Sequence, residues 1–521
     1  MGAARVTIIG LDAASPILLR RWMADGSLPN LAALAARGRT GAVRSVEGFF
    51  VGATWPSFQT GRSPAGHGLH YLAQIRPGTY DYYQPFDEAE TGPGEPFWRP
   101  LSQEGHRVAV LDVPLSRLEP AINGMQTVEW GGHDSIFGFQ ANPAEVVPEL
   151  LERFGPHPVG PVCDGRRTTL REWQAFRDAL VHGAATKAEL TRACLERGPW
   201  DLLLQVFTEA HCAGHQMWHL HDPAHPAHDA DLCAQLGDPL QQVYQAVDTA
   251  VGRVLDDAGD GTVLVTSLHG MGGYFGAGFL LHDVLVRLGA ATQPPTPPRP
   301  RTPGNILVDS ARTLWKQLPD SVRDRLRPLR QRVLPDPPAG PRTIGVDPQR
   351  SRCFVVGNGA PVSGIRLNLV GREPQGCLVQ GAEADQFVAD LTGDLLGVMD
   401  ERTGRPAITA VTRTAALHAG PQLHRLPDLL VEWADQVQTG SMQLAGGRGA
   451  TVRLTSPAIG TVEGVNWYGR SGDHRAGGLY ILAGADIPPR GEGGALGVAD
   501  LTEAITKTVR HGAPCEAFPI A

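Results

Sequence analysis

The chain lacks the features of a disulfide scaffold, a membrane span or a basic polymer-binding protein. Its 521 residues include only seven cysteines, at 163, 194, 212, 233, 353, 377 and 515, with no close pair among them. That scatter indicates neither a disulfide framework nor a cysteine zinc site and fits reduced thiols in a cytoplasmic protein. There is no apolar run of about 18 residues, the length a membrane helix needs, and Arg5-Val-Thr-Ile-Ile9 is too short and too polar in its surroundings for a secretory signal. A soluble cytoplasmic protein with no membrane partner is expected. The formal charge of −8 and pI near 6.1 leave no basic footprint, so a nucleic acid polymer is not an expected partner, whereas a small anionic molecule is compatible. No internal repeat is present.

Hydrophobic residues make up 42% of the chain, ample for a buried core, and the length allows two or more domains. Short β-rich runs alternate with helical segments. Val6–Leu11 precedes the helix Pro16–Asp25, Arg107–Leu111 follows Phe97–Glu104, and Thr262–Ser267 follows Leu240–Asp257, with Leu202–Phe207 between them. This alternation predicts an α/β protein, a three-layer αβα sandwich with a largely parallel central sheet. Residues 1–290 form its first part. Residues 291–345 form a Pro-flanked insertion with a helical centre, Ile306–Val333, read as a solvated surface helix with a lid or a homodimer contact as alternatives. Residues 346–521 supply the remaining core and a small cap-like segment, with strands at Cys353–Val356, Ile365–Leu369, Leu429–Glu432 and Leu479–Leu482.

Two places carry chemistry. Phe207-Thr-Glu-Ala-His-Cys-Ala-Gly-His215 follows an apolar strand and opens a helix, and its i, i+4 spacing lands His211 and His215 on one face. With a third histidine from afar, His474, the pair makes a metal site with an open position; a His-rich surface helix is the alternative, since His219, His221, His225 and His228 follow. Ile8-Ile-Gly-Leu-Asp12 places a carboxylate at the C-terminal end of the first strand, where open α/β sheets bind ligands. Asp12 there either caps the following helix or holds a cation, the cap being preferred on this evidence alone.

Gly10-Leu-Asp-Ala, Leu28-Pro-Asn-Leu31, Ala36-Arg-Gly-Arg39, Trp55-Pro-Ser-Phe-Gln-Thr-Gly61 and Pro64-Ala-Gly-His-Gly68, followed in order by Thr266-Ser-Leu-His-Gly270, Leu426-Pro-Asp-Leu-Leu430 and Gly472-Asp-His-Arg475, resemble the alkaline phosphatase superfamily, in particular its type I phosphodiesterase and nucleotide pyrophosphatase branch. The resemblance covers nearly the whole chain. It implies an alkaline phosphatase-like sandwich, a two-metal centre usually holding zinc, and hydrolysis of phosphate or related esters through a covalent Ser or Thr.

The same resemblance implies roles and departures. Asp12 matches a ligand of the second metal. The first metal's Asp, His and distant His match His211, His215 and His474, so a third histidine replaces a carboxylate. The second metal's Asp-His pair matches Leu268-His269, leaving that site Asp12 and His269. The position of the family nucleophile, aligned without a gap, falls on Val51; Thr54, one turn on, becomes the nucleophile only with a shift and otherwise orients substrate. Glu209 is a further ligand, a general base or a helix cap. His133 and Arg475 are candidate substrate contacts.

The expected cofactor is therefore a divalent metal, zinc first and manganese or iron as alternatives, with one tight site and a second weak or empty one. The expected function is metal-dependent hydrolysis of phosphate esters, phosphodiesters or related esters by metal-bound hydroxide or Thr54. A repurposed three-histidine lyase, non-phosphorus hydrolase or redox centre, or a binding module on a remnant pocket, are the rival readings.

Overall fold

The computed structural model describes residues 4–86, 94–131, 135–294, 344–485, 487–489, 491–512 and 518. Most of the insertion at 291–345, and with it the helix at Ile306–Val333, lies outside them, as does His133.

The central sheet runs in the order Gly491–Glu492, Arg39–Arg44, Gly478–Ala483, Thr262–Ser267, Ala4–Leu11, Trp200–Phe207, Val108–Leu111, Gly124–Val128 and Gln140–Asn142. The five strands from Thr262–Ser267 to Gly124–Val128 are mutually parallel. Gly478–Ala483 enters antiparallel between Thr262–Ser267 and Arg39–Arg44, and Gln140–Asn142 closes the other edge antiparallel. Ala4–Leu11 and Trp200–Phe207 are apolar almost without a break because helices cover both faces.

One face packs on Pro16–Ala24, Pro29–Ala36, Leu170–Leu195 and Pro239–Ala258, with Trp22, Leu180, Leu203 and Val251 in the shared cluster. The other packs on Thr54–Thr60, Trp98–Gln103 and Val498–His511, through Phe58, Trp98, Leu204 and Leu501. This is the αβα sandwich read from the sequence. The helix Leu170–Leu195 starts at a capping box in which Thr169 accepts from the Glu172 amide and Glu172 returns the bond.

The strands after residue 350 do not all extend the central sheet. Cys353–Val356, Val362–Leu367, Leu429–Trp433 and Ile408–Arg413 form a separate four-stranded antiparallel sheet. Its apolar cluster includes Phe354, Ile365, Val431 and, from the helix Ala382–Leu396, Leu391. Among the described residues no helix is long and apolar enough to cross a membrane.

Candidate metal centre

The candidate ligands are delivered by four elements at one end of the central sheet. Trp200–Phe207 runs into the helix Glu209–His221, which is buried from Glu209 to Leu220, and the i, i+4 pair His211 and His215 faces one way from it. His474 arrives on the short strand Gly472–Arg475, paired antiparallel with Gly270–Gly273 so that Met271 stands opposite His474. Gly472 lets this ribbon press onto the helix, because a Cβ there would lie 2.1 Å from the carbonyl oxygen of Gly214. Asp12 ends the first strand, and His269 follows Thr262–Ser267 next in the sheet.

The three histidines converge. Nε2 of His211 lies 3.0 Å from Nε2 of His215 and 3.2 Å from Nε2 of His474, and one ligand atom from each of the three lies within 4.8 Å of the others. Ligands about 2.0–2.1 Å from a tetrahedral zinc stand roughly 3.3 Å apart. The outer nitrogens set the tautomers. Nδ1 of His215 is 2.8 Å from the carbonyl oxygen of Gly472; a carbonyl only accepts, so Nδ1 carries the proton and Nε2 keeps its lone pair. Nδ1 of His211 stands 3.3 Å from Oδ2 of Asp12, which favours the same tautomer. Lone pairs of neutral rings at such separations repel unless a cation lies between them, so the donor set fits one divalent ion.

The second cluster is thinner. Oδ1 of Asp12 accepts from the Trp55 indole at 2.7 Å and lies 3.9 Å from Nε2 of His269. Gly10 makes room for that indole, since a Cβ there would meet Trp55 at 3.0 Å and Val206 at 2.9 Å. Burial pushes the His269 imidazolium down to about 3, so the ring is neutral at pH 7. Leu268 is buried in the apolar cluster with Trp55 and Phe58. One oxygen of Asp12 is thus taken by an indole and the neighbouring side chain is hydrocarbon, a poor basis for a second ion.

The structure places three other sequence-predicted residues apart from the histidine cluster. Glu209 does not reach the histidines: it is fully buried in the core, with Oε1 3.3 Å from both Lys187 Nζ and His157 Nε2. Burial raises its acid, but Lys187 and His157 outweigh that and hold it below the usual range. The Thr54 hydroxyl donates to the Phe50 carbonyl at 2.9 Å, and Thr54 does not line the cavity, whereas Val51 does. The Arg475 guanidinium donates to the carbonyls of His474 and Gly273 and lies over the Phe275 ring, so it ties the ribbon together, and it is not among the residues that line the cavity.

The centre opens into a cavity of about 720 Å³ lined by Asp12, His211, His269, His474, Asp473 and Arg470 at its polar end. Sequence reading missed the last two. Oδ1 of Asp473 accepts the His474 amide at 2.7 Å, and burial raises its acid to about 6. Arg470 Nη1 is 3.1 Å from Nε2 of His215. Asp473 stood in plain view within Gly472-Asp-His-Arg475; Arg470 carried no local signal.

The type I phosphodiesterase / nucleotide pyrophosphatase family pattern matches residues 6–292. The chain belongs to that family. It is a hydrolase by that membership. Among curated proteins no relative matches. Similar solved structures include phosphonoacetate hydrolase from Sinorhizobium meliloti 1021 in complex with phosphonoacetate, 13% identical with a TM-score of 0.47 over 98% of this chain and 96% of that one. Human ectonucleotide pyrophosphatase / phosphodiesterase 5 is 9% identical with a TM-score of 0.43, over 97% and 95%.

Proposed function

We propose that the chain is a metal-dependent hydrolase of phosphodiesters or related phosphoryl esters, with one divalent ion, zinc first, held by His211, His215 and His474. The convergence of three Nε2 atoms at the polar end of a large cavity carries this reading. A divalent ion there would supply Lewis acidity toward a phosphoryl oxygen and lower the pKa of water.

The protein's own groups do the rest. Gly472 and Asp12 orient the imidazoles through Nδ1. Asp12, steadied by Trp55, is the carboxylate placed to take a proton from the attacking water. The water oxygen bonds to phosphorus and the ester P–O bond breaks; the alkoxide that leaves is protonated by solvent water, and Asp12 releases to solvent the proton it took from the attacking water. Val51 at the cavity wall offers no hydroxyl, so attack by water without a covalent enzyme intermediate is the mechanism favoured. The substrate is a small anionic molecule.

Metal analysis and turnover of bis(p-nitrophenyl) phosphate test the reading together. Purified protein is expected to hold close to one transition metal per chain and to cleave the diester, and His211→Ala or His474→Ala to lose both. Full activity in a His474→Ala protein stripped by chelator would refute it.

A further inference from the structure

The lone pair that a metal ion needs from His215 already faces a guanidinium. Nη1 of Arg470 lies 3.1 Å from Nε2 of His215, and that nitrogen carries the lone pair of its ring because Nδ1 is committed to the Gly472 carbonyl. Arginine offers donors only, so the contact is an N–H aimed at the atom that would bind the ion. Arg470 lines the cavity together with His211 and His474.

The rest of the side chain is held in place. Nε lies 2.9 and 3.0 Å from the two carboxylate oxygens of Asp164, and Nη2 lies 2.7 Å from Oδ2. Asp164 also accepts from Gln216 on the histidine-bearing helix at 2.8 Å, and the guanidinium lies over the Tyr468 ring. This clasp uses Nε and Nη2, so an ion that takes the lone pair of His215 from Nη1 does not remove the charge. With the side chain so held, an ion about 2.0–2.1 Å from Nε2 stands within roughly 5 Å of Nη1, and like charges that close repel in a buried site.

Charges of both signs surround the centre. The buried carboxylates of Asp12 and Asp473 favour a cation, and Asp164 offsets part of the Arg470 charge. Arg167 donates to Gln216 and to the Cys163 carbonyl. Arg475, the guanidinium of the ribbon itself, is turned to the carbonyls of His474 and Gly273 and to the Phe275 ring. Arg470 is the positive group that touches a ligand nitrogen.

We infer that Arg470 is a built-in competitor of the metal ion: its guanidinium stands in for the cation on His215 in the metal-free protein and weakens the hold of the ion that displaces it, making the metal exchangeable. This rests on the metal-centre reading proposed above.

Titration of the metal-free protein with zinc against a chromophoric chelator at pH 8 gives the affinity. Arg470→Met and Arg470→Gln remove both the charge and the competing guanidinium, and are expected to bind zinc about 10- to 10²-fold more tightly than the unaltered protein, the scale on which groups behind a ligand change metal affinity. Removing a residue that only braces the fold would weaken binding, so the direction of the change separates the two roles. Arg470→Lys keeps a positive charge at the position and is expected to stay near the unaltered affinity. The glutamine amide still donates to Asp164, so that variant decides the matter if the methionine one does not fold. Zinc binding no tighter in the neutral variants overturns the inference, as does a lysine variant that gains as much as they do. His474→Ala separates it from the metal-centre reading. Zinc affinity that this change leaves undiminished sinks both, whereas affinity lost with His474 and unimproved in the neutral Arg470 variants sinks the competitor alone.

Discussion

Glu209→Gln separates a buried structural carboxylate from a catalytic base. Lys187 Nζ and Glu209 Oε1 are 3.3 Å apart and neither side chain is exposed, so the charge removed is one that a buried ammonium needs. Their attraction at an effective dielectric of 20 is on the order of 5 kcal/mol, and breaking buried pairs by removing one partner costs about 3–5 kcal/mol. Here Asp112 remains 3.8 Å from Nζ, and the Val206 carbonyl accepts from it at 3.2 Å. The loss should therefore fall near the low end, about 3 kcal/mol. Urea denaturation followed by circular dichroism measures it, and steady-state kinetics on the folded fraction gives the complementary number. Unchanged kcat with reduced stability is the expected pair of results. A fall in kcat of roughly 10²–10⁴-fold, the range for loss of a general base, at unaltered stability would refute the structural assignment and restore Glu209 to the reaction.

Three further outcomes are expected. Leu268→Asp should raise the metal content above that of the unaltered protein, while the metal-free form loses stability because a carboxylate then sits in the cluster of Trp55 and Phe58; unchanged metal content would show that a ligand is not what the second site lacks. Thr54→Val should cost about 1 kcal/mol for the lost bond to Phe50 and lower turnover less than about tenfold, within what an orienting bond could supply, and a phosphoryl adduct on Thr54 in quenched reactions would contradict this. His67 is pushed from 6.5 to about 3 by burial and by the charges of Arg62 and His418. The unfolded chain thus takes up a proton there that the folded one refuses; this contribution is complete above pH 6.5 and fades as pH falls toward 3, by up to about 1.4 kcal/mol per pH unit. In His67→Gln the acid limb of a stability-against-pH curve should be correspondingly shallower, and an identical slope would refute the assignment.

The parts legible in the sequence were those written locally. Strands such as Thr262–Ser267 and Cys353–Val356 are short β-branched or apolar runs bounded by breakers, and both lie where the pattern put them. Asp12 at a strand end and the pair His211 and His215 at helical spacing were readable for the same reason. Arg39–Arg44 was not, being polar at alternate positions and half-covered by late-arriving strands. The pairing of Glu209 with Lys187 was not readable, because Lys187 lies on a different helix and no spacing rule links the two. Arg470 was invisible for a stronger reason: its meaning lies in Asp164, 306 positions away. Thr54 shows the converse, a reactive residue type in a suggestive motif whose hydroxyl is spent on its own helix.

The strand Gly478–Ala483 has a consequence for the order in which the molecule can be assembled. It separates Arg39–Arg44 from Thr262–Ser267, so a segment made among the first has no seat in the sheet until a segment made among the last is available. The adjoining Gly472–Arg475 brings His474 with the same stretch of chain. During synthesis the parallel strands and their helices can gather while the sheet edge and the third ligand are both still missing, and these two arrive together. Capture of the proposed ion at full affinity would thereby be tied to closure of the sheet, so that a nascent or C-terminally clipped chain holds two imidazoles on a helix but not the third.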